Sequence, residues 1–311
     1  MDPPTTSAPA TTVAEAWATW LAYRCCGARP LRASTLSDYR CVWRCHLAPQ
    51  LADTPLHALN GAVIARAVVG ISSAGVSSRR LAKVLIPLRA CLRWHYRMGS
   101  FDRDPAPWFD ASPPPAEERN ILSIAQVEQL IAAFPECYRP MITFAAYTGV
   151  RLGELRALTW DGIDLEARTA LVSKSMFLNE LQPSTKTGFT RTVPIPSHVV
   201  EVLVAWRDVC PSSPEGWLFP KPNGRVLDGN SFRKDTWRPA VARAGLSPKL
   251  RIHDLRHTSA SLYLQHGATV REVMEIHGWR QMETALRYLH TCESLNVAAD
   301  RLSAARSAAS E

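Results

Sequence analysis

Apolar residues recur at helical spacing through the first hundred positions. In TVAEAWATWLAYRC, Ala16, Trp17, Trp20 and Leu21 fall on one face, and Thr12 with Glu15 three residues later has the spacing of a capping box. The pattern predicts a second helix over TLSDYRCVWRCHLAPQL, stopped at Pro49, and a third from Asn60 to Gly70. A fourth runs through SSRRLAKVLIPLRACLRWHYRMG, with Leu81, Leu85, Leu88, Leu92 and Trp94 at its apolar positions. Its polar positions carry Arg79, Arg80, Lys83, Arg89, Arg93 and Arg97, almost unrelieved positive charge along one helix. A solvated face is the default for such charges; their single sign favours a surface that meets DNA.

The pattern then breaks. DRDPAPWFDASPPPAEERN holds five prolines and predicts an extended linker over residues 104–119. Helical spacing resumes at Ser123, where Ser123 and Gln126 form another capping-box start, and two helices reach about Leu158. TALVSKSMFL and PSTKTGFTRTVPIP read as strands, with TKTG as a hairpin turn. Helices return from Ser197, broken at PSSPEG, PKPNGR and SPK. The expected architecture is mainly α with a small β-sheet. A disordered lead occupies residues 1–12, a helical domain 13–103 and a larger domain with a three-stranded sheet 120–311. Two such lobes on a hinge could close around a duplex.

Composition narrows the function classes. No stretch approaches membrane-spanning length, and MDPPTTSAPATT lacks the basic and apolar parts of a secretory signal. The eight cysteines are therefore expected as reduced thiols, and the cytoplasm as the compartment. Cys41, Cys45 and His46 could supply metal ligands, but no second pair lies at finger spacing, so no metal and no other cofactor is expected. Net charge is +8 and unevenly spread: residues 1–115 carry 13 Lys and Arg against 7 Asp and Glu, the remainder 23 against 21. A basic N-terminal portion suits a polyanion.

Three segments carry candidate chemistry. In AYTGVRLGELRALTW, Gly149 should end a helix and Arg151 begin the next, where a guanidinium and helix-terminal N–H groups suit a phosphate; Glu154 can hold it. In RIHDLRHTSASLYLQHG, His253 and Arg256 fall three apart on one helix face, a proton-transfer group beside a fixed cation, with His257 expected as packing or a hydrogen-bond brace. In TVREVMEIHGWRQMETALRYLH, Thr269 and Glu272 cap a short helix, Gly278 ends it, Trp279 sits at the corner and Tyr288 follows on a further helix.

The ordered set R…K…HxxR…GW…Y resembles the tyrosine recombinases, the phage integrase and Xer group. The likeness covers most of the chain and is specific in TGVRLGELRALTW, HDLRHTSASL and HGWRQMETALRYLH. It implies a helical, SAM-like core-binding domain before a catalytic domain. It also implies an active site of Arg151, Lys186, His253, Arg256, Trp279 and Tyr288, with Lys186 preferred over Lys174 because it occupies the hairpin turn that the family uses. In that reading the arginines stabilise charge on the attacked phosphate and Trp279 donates its indole N–H to it. His253 helps the phenol lose its proton, Lys186 protonates the leaving 5′-oxygen, and neither ATP nor a metal takes part.

The implied partners are double-stranded DNA at attachment sites, three further copies of the chain in a tetramer, and a host or phage accessory protein. The work implied is integration or excision of a phage or mobile element. His277 departs from the family pattern, which has an apolar residue there. Only about 12 residues precede the first helix, so a short form without an arm-binding module is expected. The residues after Tyr288 are expected to dock on a neighbouring protomer or to pack on their own. A type IB topoisomerase or a non-catalytic DNA-binding regulator would share part of this pattern.

Overall fold

The structure is a computed structural model that describes residues 11–27, 30–100, 104–109, 120–182 and 190–288. The chain divides into two compact units, residues 1–117 and 118–311.

In the first unit, α1 (Val13–Cys26) starts on the expected Thr12–Glu15 capping box. Next come α2 (Ala33–Val42), a π turn over Trp43–Leu47, α3 (Ala48–Leu51), α4 (Gly61–Ser73, capped by Asn60) and α5 (Ser78–Arg97, capped by Ser77). The core is aromatic at one end: Trp17 stacks on Trp43 at 4.9 Å and lies 5.2 Å from Trp20. Leu47, Leu51, Ile64, Leu88 and Leu92 fill the rest.

Pro49 does not stop the second helix as expected. The wide turn before it closes with the Ala48 N–H bonded to the Trp43 carbonyl five residues back, which accommodates a proline that can neither donate nor fit behind a tight turn. The same device recurs at Pro239, where the Arg238 N–H reaches the Arg233 carbonyl.

Along α5, Arg80, Lys83, Arg93 and Arg97 are exposed and Arg79 is half-buried. Arg89, counted with them from its spacing, is exposed yet engaged. It donates to the Phe109 carbonyl and lies 5.2 Å over that ring, so part of its charge serves the unit's own packing.

In the second unit, α6 (Ile124–Ala132) begins on the Ser123–Gln126 capping box and leads to α7 (Arg139–Thr148) and the short α8 (Leu152–Leu155). The strands are β1 (Ile163–Asp164), β2 (Thr169–Val172), β3 (Ser175–Phe177), β4 (Glu180–Gln182) and β5 (Arg191–Pro194). The expected three-stranded sheet is present, in the antiparallel order β1-β2-β5, with Val172 opposite Arg191.

TALVSKSMFL is not one strand, however. It splits into β2 and β3, and β3 pairs with β4 in a separate hairpin. The turn of that hairpin is Leu178–Asn179, both at positive φ, as a two-residue primed turn requires. Asn179 Nδ2 donates to Asp228 at 2.8 Å and its Oδ1 accepts from Arg156, so a buried arginine locks the turn in place. The TKTG turn, and Lys186 with it, lies outside the described residues.

The remaining helices are α9 (Ser197–Val209), α10 (Gly229–Ser231), α11 (Arg238–Arg243), α12 (Asp254–Gln265), α13 (Val270–His277) and α14 (Met282–Leu286). α7 is buried on nearly every side and packs along α12, and this contact sets the Gly149–Arg151 turn against the start of α12. No helix among the described residues is long and apolar enough to cross a membrane.

Candidate active site

Gly149 ends α7 in the left-handed conformation (φ 64°), and Arg151 becomes the N-cap of α8. Three residues on, Glu154 lies one turn away and almost fully buried. Its Oε1 accepts from Arg151 Nη1 at 2.8 Å, and its Oε2 accepts from the Arg151 backbone N–H at 3.1 Å. Oε2 also accepts from Arg191 Nη2 at 2.7 Å. Arg191 was missed in the sequence: it sits on β5, 37 residues from its carboxylate, and no short motif joins them. Burial works against ionisation of Glu154, but the Arg191 hydrogen bond and the charges of Arg191 and Arg151 outweigh it and hold the pKa at about 2.

His253 and Arg256 do not share one exposed face. His253 is the N-cap residue of α12 and reaches the surface, whereas Arg256, in the first turn, is buried. Arg256 Nη1 donates to the Gly149 carbonyl at 2.7 Å, Nη2 donates to the His277 carbonyl, and the guanidinium lies 5.5 Å over the Trp279 ring. Burial, then the charge of Arg151, lowers its pKa to about 9, which leaves it a cation at neutral pH. Although the His253 side chain reaches the surface, the protein packed round its ring withholds water. That desolvation, then Arg256 and Arg151, lowers its pKa and favours a neutral imidazole that can accept a proton.

α13 begins on the Thr269–Glu272 capping box and ends at Gly278 (φ 61°), so the chain turns sharply into Trp279. Tyr288 lies not on α14 but in the turn just after it, buried among Ala260, Leu264 and Val273. Its ring stacks on Trp279 at 5.2 Å with 9° between planes, and its hydroxyl is hydrogen-bonded to His257 Nδ1. His257, rather than His253, therefore touches the phenol; the two imidazoles meet edge to face at 4.9 Å. Spacing could not separate them, because residues four apart on a helix share one face and the tyrosine arrives from 31 residues away.

The histidine that broke the motif, His277, is fully buried beside Trp279, and its Nδ1–H donates to the Val273 carbonyl at 3.0 Å. A Cβ at Gly149 would drive into its ring and come within 2.9 Å of Ser259 Oγ, so glycine is required there for space as well as for φ. Arg151, Glu154, His253, Arg256, His257, Trp279 and Tyr288 thus form one connected cluster, joined by Arg191. Cations held by one buried carboxylate beside a phenol can bind a phosphodiester and attack it.

Comparison with known proteins places the chain in a family. The model of the phage integrase family matches residues 120–294. The phiRv2 prophage integrase of Mycobacterium tuberculosis is 26% identical over 275 residues, which span 85% of this chain and 72% of that one. The tyrosine recombinase XerC of Alcanivorax borkumensis is 30% identical over 229 residues, 70% of each chain. Among solved structures, the Tn1549 transposon integrase in complex with a circular intermediate DNA superposes with a TM-score of 0.76 at 18% identity, covering 94% of this chain and 99% of that one. A lambda integrase dimer bound to a COC′ core site gives 0.72 at 18% identity, covering 90% and 77%. The chain belongs to the phage integrase family, the tyrosine recombinases.

Proposed function

We propose that the chain is a site-specific DNA recombinase that cuts and rejoins strands through Tyr288. The observation that carries this reading is the placement of the Tyr288 phenol against the His257 imidazole and Trp279, beside the buried guanidinium of Arg256. The phenol gives its proton to a neutral histidine and its oxygen attacks phosphorus. The bond to the 5′-oxygen breaks, and a 3′-phosphotyrosyl link remains. Arg151 and Arg256 stabilise the charge that develops on the non-bridging oxygens. Lys186 serves as the proton donor to the 5′-oxygen, and Trp279 as a hydrogen-bond donor to the phosphate. A second 5′-hydroxyl reverses the step on a new partner strand. The phosphotyrosyl link conserves the bond energy, so ATP has no part to play.

Four copies on two attachment sites, integrating or excising a mobile element, are the assembly we infer. The exposed basic face of α5, with the first unit as core-binding domain, would grip the backbone. The test is a nicked suicide substrate carrying an attachment site. The native chain should form a covalent adduct and Tyr288→Phe none; an adduct from Tyr288→Phe would remove Tyr288 from its role. Joining of two sites in one reaction, rather than relaxation alone, identifies a recombinase as opposed to a topoisomerase.

The two histidines are separable. In its resting position the phenol is bracketed by His257, and we assign proton transfer to His253 once Tyr288 has left its stack on Trp279. His253→Gln should then slow single-turnover cleavage by about a hundredfold, and His257→Gln by less than about tenfold. The reverse order would give the transfer to His257.

A further inference from the structure

We infer that Arg191 is a positioning residue of the site: a third arginine that sets Arg151 and Arg256 at their mutual spacing. The inference rests on the reading of the site just proposed.

Arg191 grips two parts of the site that no other described side chain joins in this way. Its Nη2 donates to Glu154 Oε2 at 2.7 Å, and Glu154 in turn holds both the backbone and the side chain of Arg151. Its Nε donates to the Ile276 carbonyl at 3.2 Å, near the end of α13. The next carbonyl along, that of His277, is the one that accepts from Arg256. Gly278 then clears the space: a Cβ there would lie 3.0 Å from Arg191 Cδ and 3.4 Å from its Nε. The left-handed turn that aims Trp279 is therefore also the turn that admits the Arg191 stem.

The position of Arg191 in the chain matters too. It opens β5, five residues after Lys186, so the strand leaving the TKTG segment is anchored at the site by this side chain.

Arg191 also acts through its charge, apart from the tether. Arg151, Arg191 and Arg256 surround one carboxylate, which leaves a surplus of two positive charges. A phosphodiester under attack moves from one negative charge toward two, and a fixed surplus of that size meets it without reorganisation. Arg191 Nη1 is buried and has no hydrogen-bond partner among the described residues, so its charge is not spent on a further carboxylate. Loss of Arg191 would halve the surplus and leave Glu154 to bind Arg151 alone.

Single-turnover cleavage of the suicide substrate by Arg191→Ala and Arg191→Lys tests this, alongside thermal melts of each protein. Arg191→Ala should cleave about a hundredfold more slowly at saturating DNA, with DNA affinity within about threefold of the native chain. Arg191→Lys should recover part of the rate, because it restores the charge but not the fork. Glu154 loses its strongest cationic partner in Arg191→Ala, so the acid limb of the rate profile should move to higher pH.

A residue of structural importance only would lower the melting temperature while leaving that limb in place. Cleavage by Arg191→Ala within about threefold of native, or an unmoved limb, overturns the inference and leaves the function standing. Absence of any adduct from the native chain overturns both.

Discussion

Arg256→Ala is expected to reduce single-turnover cleavage by about 10²- to 10³-fold, the cost typical of removing one preorganised donor to a developing oxyanion. Arg256 is 3% exposed, and its guanidinium is bonded to the carbonyls of Gly149 and His277, with Trp279 beneath it. A cation in that setting is already oriented before DNA arrives, and little water screens it. Arg256→Lys should stay at least about tenfold slow, because a single ammonium cannot span both carbonyls and still present a fork to phosphate. The time course of the covalent adduct measures both variants, and a rate for Arg256→Ala close to native would remove Arg256 from the chemistry.

Glu154→Gln should cost about 3 to 5 kcal/mol of stability, measured by urea unfolding, because two guanidiniums lose the carboxylate they share in a buried site. The effect has a pH signature. The folded pKa of Glu154, about 2, lies below the ordinary carboxylate value of 4.5. The ionised group therefore stabilises the native state in full above that ordinary value, and the contribution fades as pH falls toward the folded pKa. By linkage it is worth about 3 kcal/mol. The gap between the native chain and Glu154→Gln should narrow steadily from pH 5 to pH 3. A constant gap would show that shape, and not charge, is what the glutamate supplies.

How much of this was legible beforehand depended on sequence distance. The Thr12–Glu15, Ser123–Gln126 and Thr269–Glu272 capping boxes appear as read, and so do the helix ends at Gly149 and Gly278. Each is closed within a few residues by hydrogen bonds to nearby backbone, so the local sequence contains all the partners. Pro49 was misread because proline excludes a tight turn but not a wide one, and the choice lay with the packing of Trp43 on Trp17. The β2–β3 division was likewise hidden. A continuous run of strand-forming residues does not say which neighbour each half will pair with, and the deciding contact joins Asn179 to Asp228.

At the site itself, the sequence alone determined the cast: Arg151, Glu154, His253, Arg256, His257, Trp279 and Tyr288, in motifs short enough to read. Only the tertiary structure decided their arrangement. It put His257 on the Tyr288 hydroxyl, moved Arg89 into a contact with Phe109, buried the anomalous His277 beside Gly149, and brought Arg191 to Glu154. Those contacts join residues 20 to 128 positions apart. Their energy depends on burial and on the direction of a side chain in space, and neither quantity exists until the core around each contact has closed.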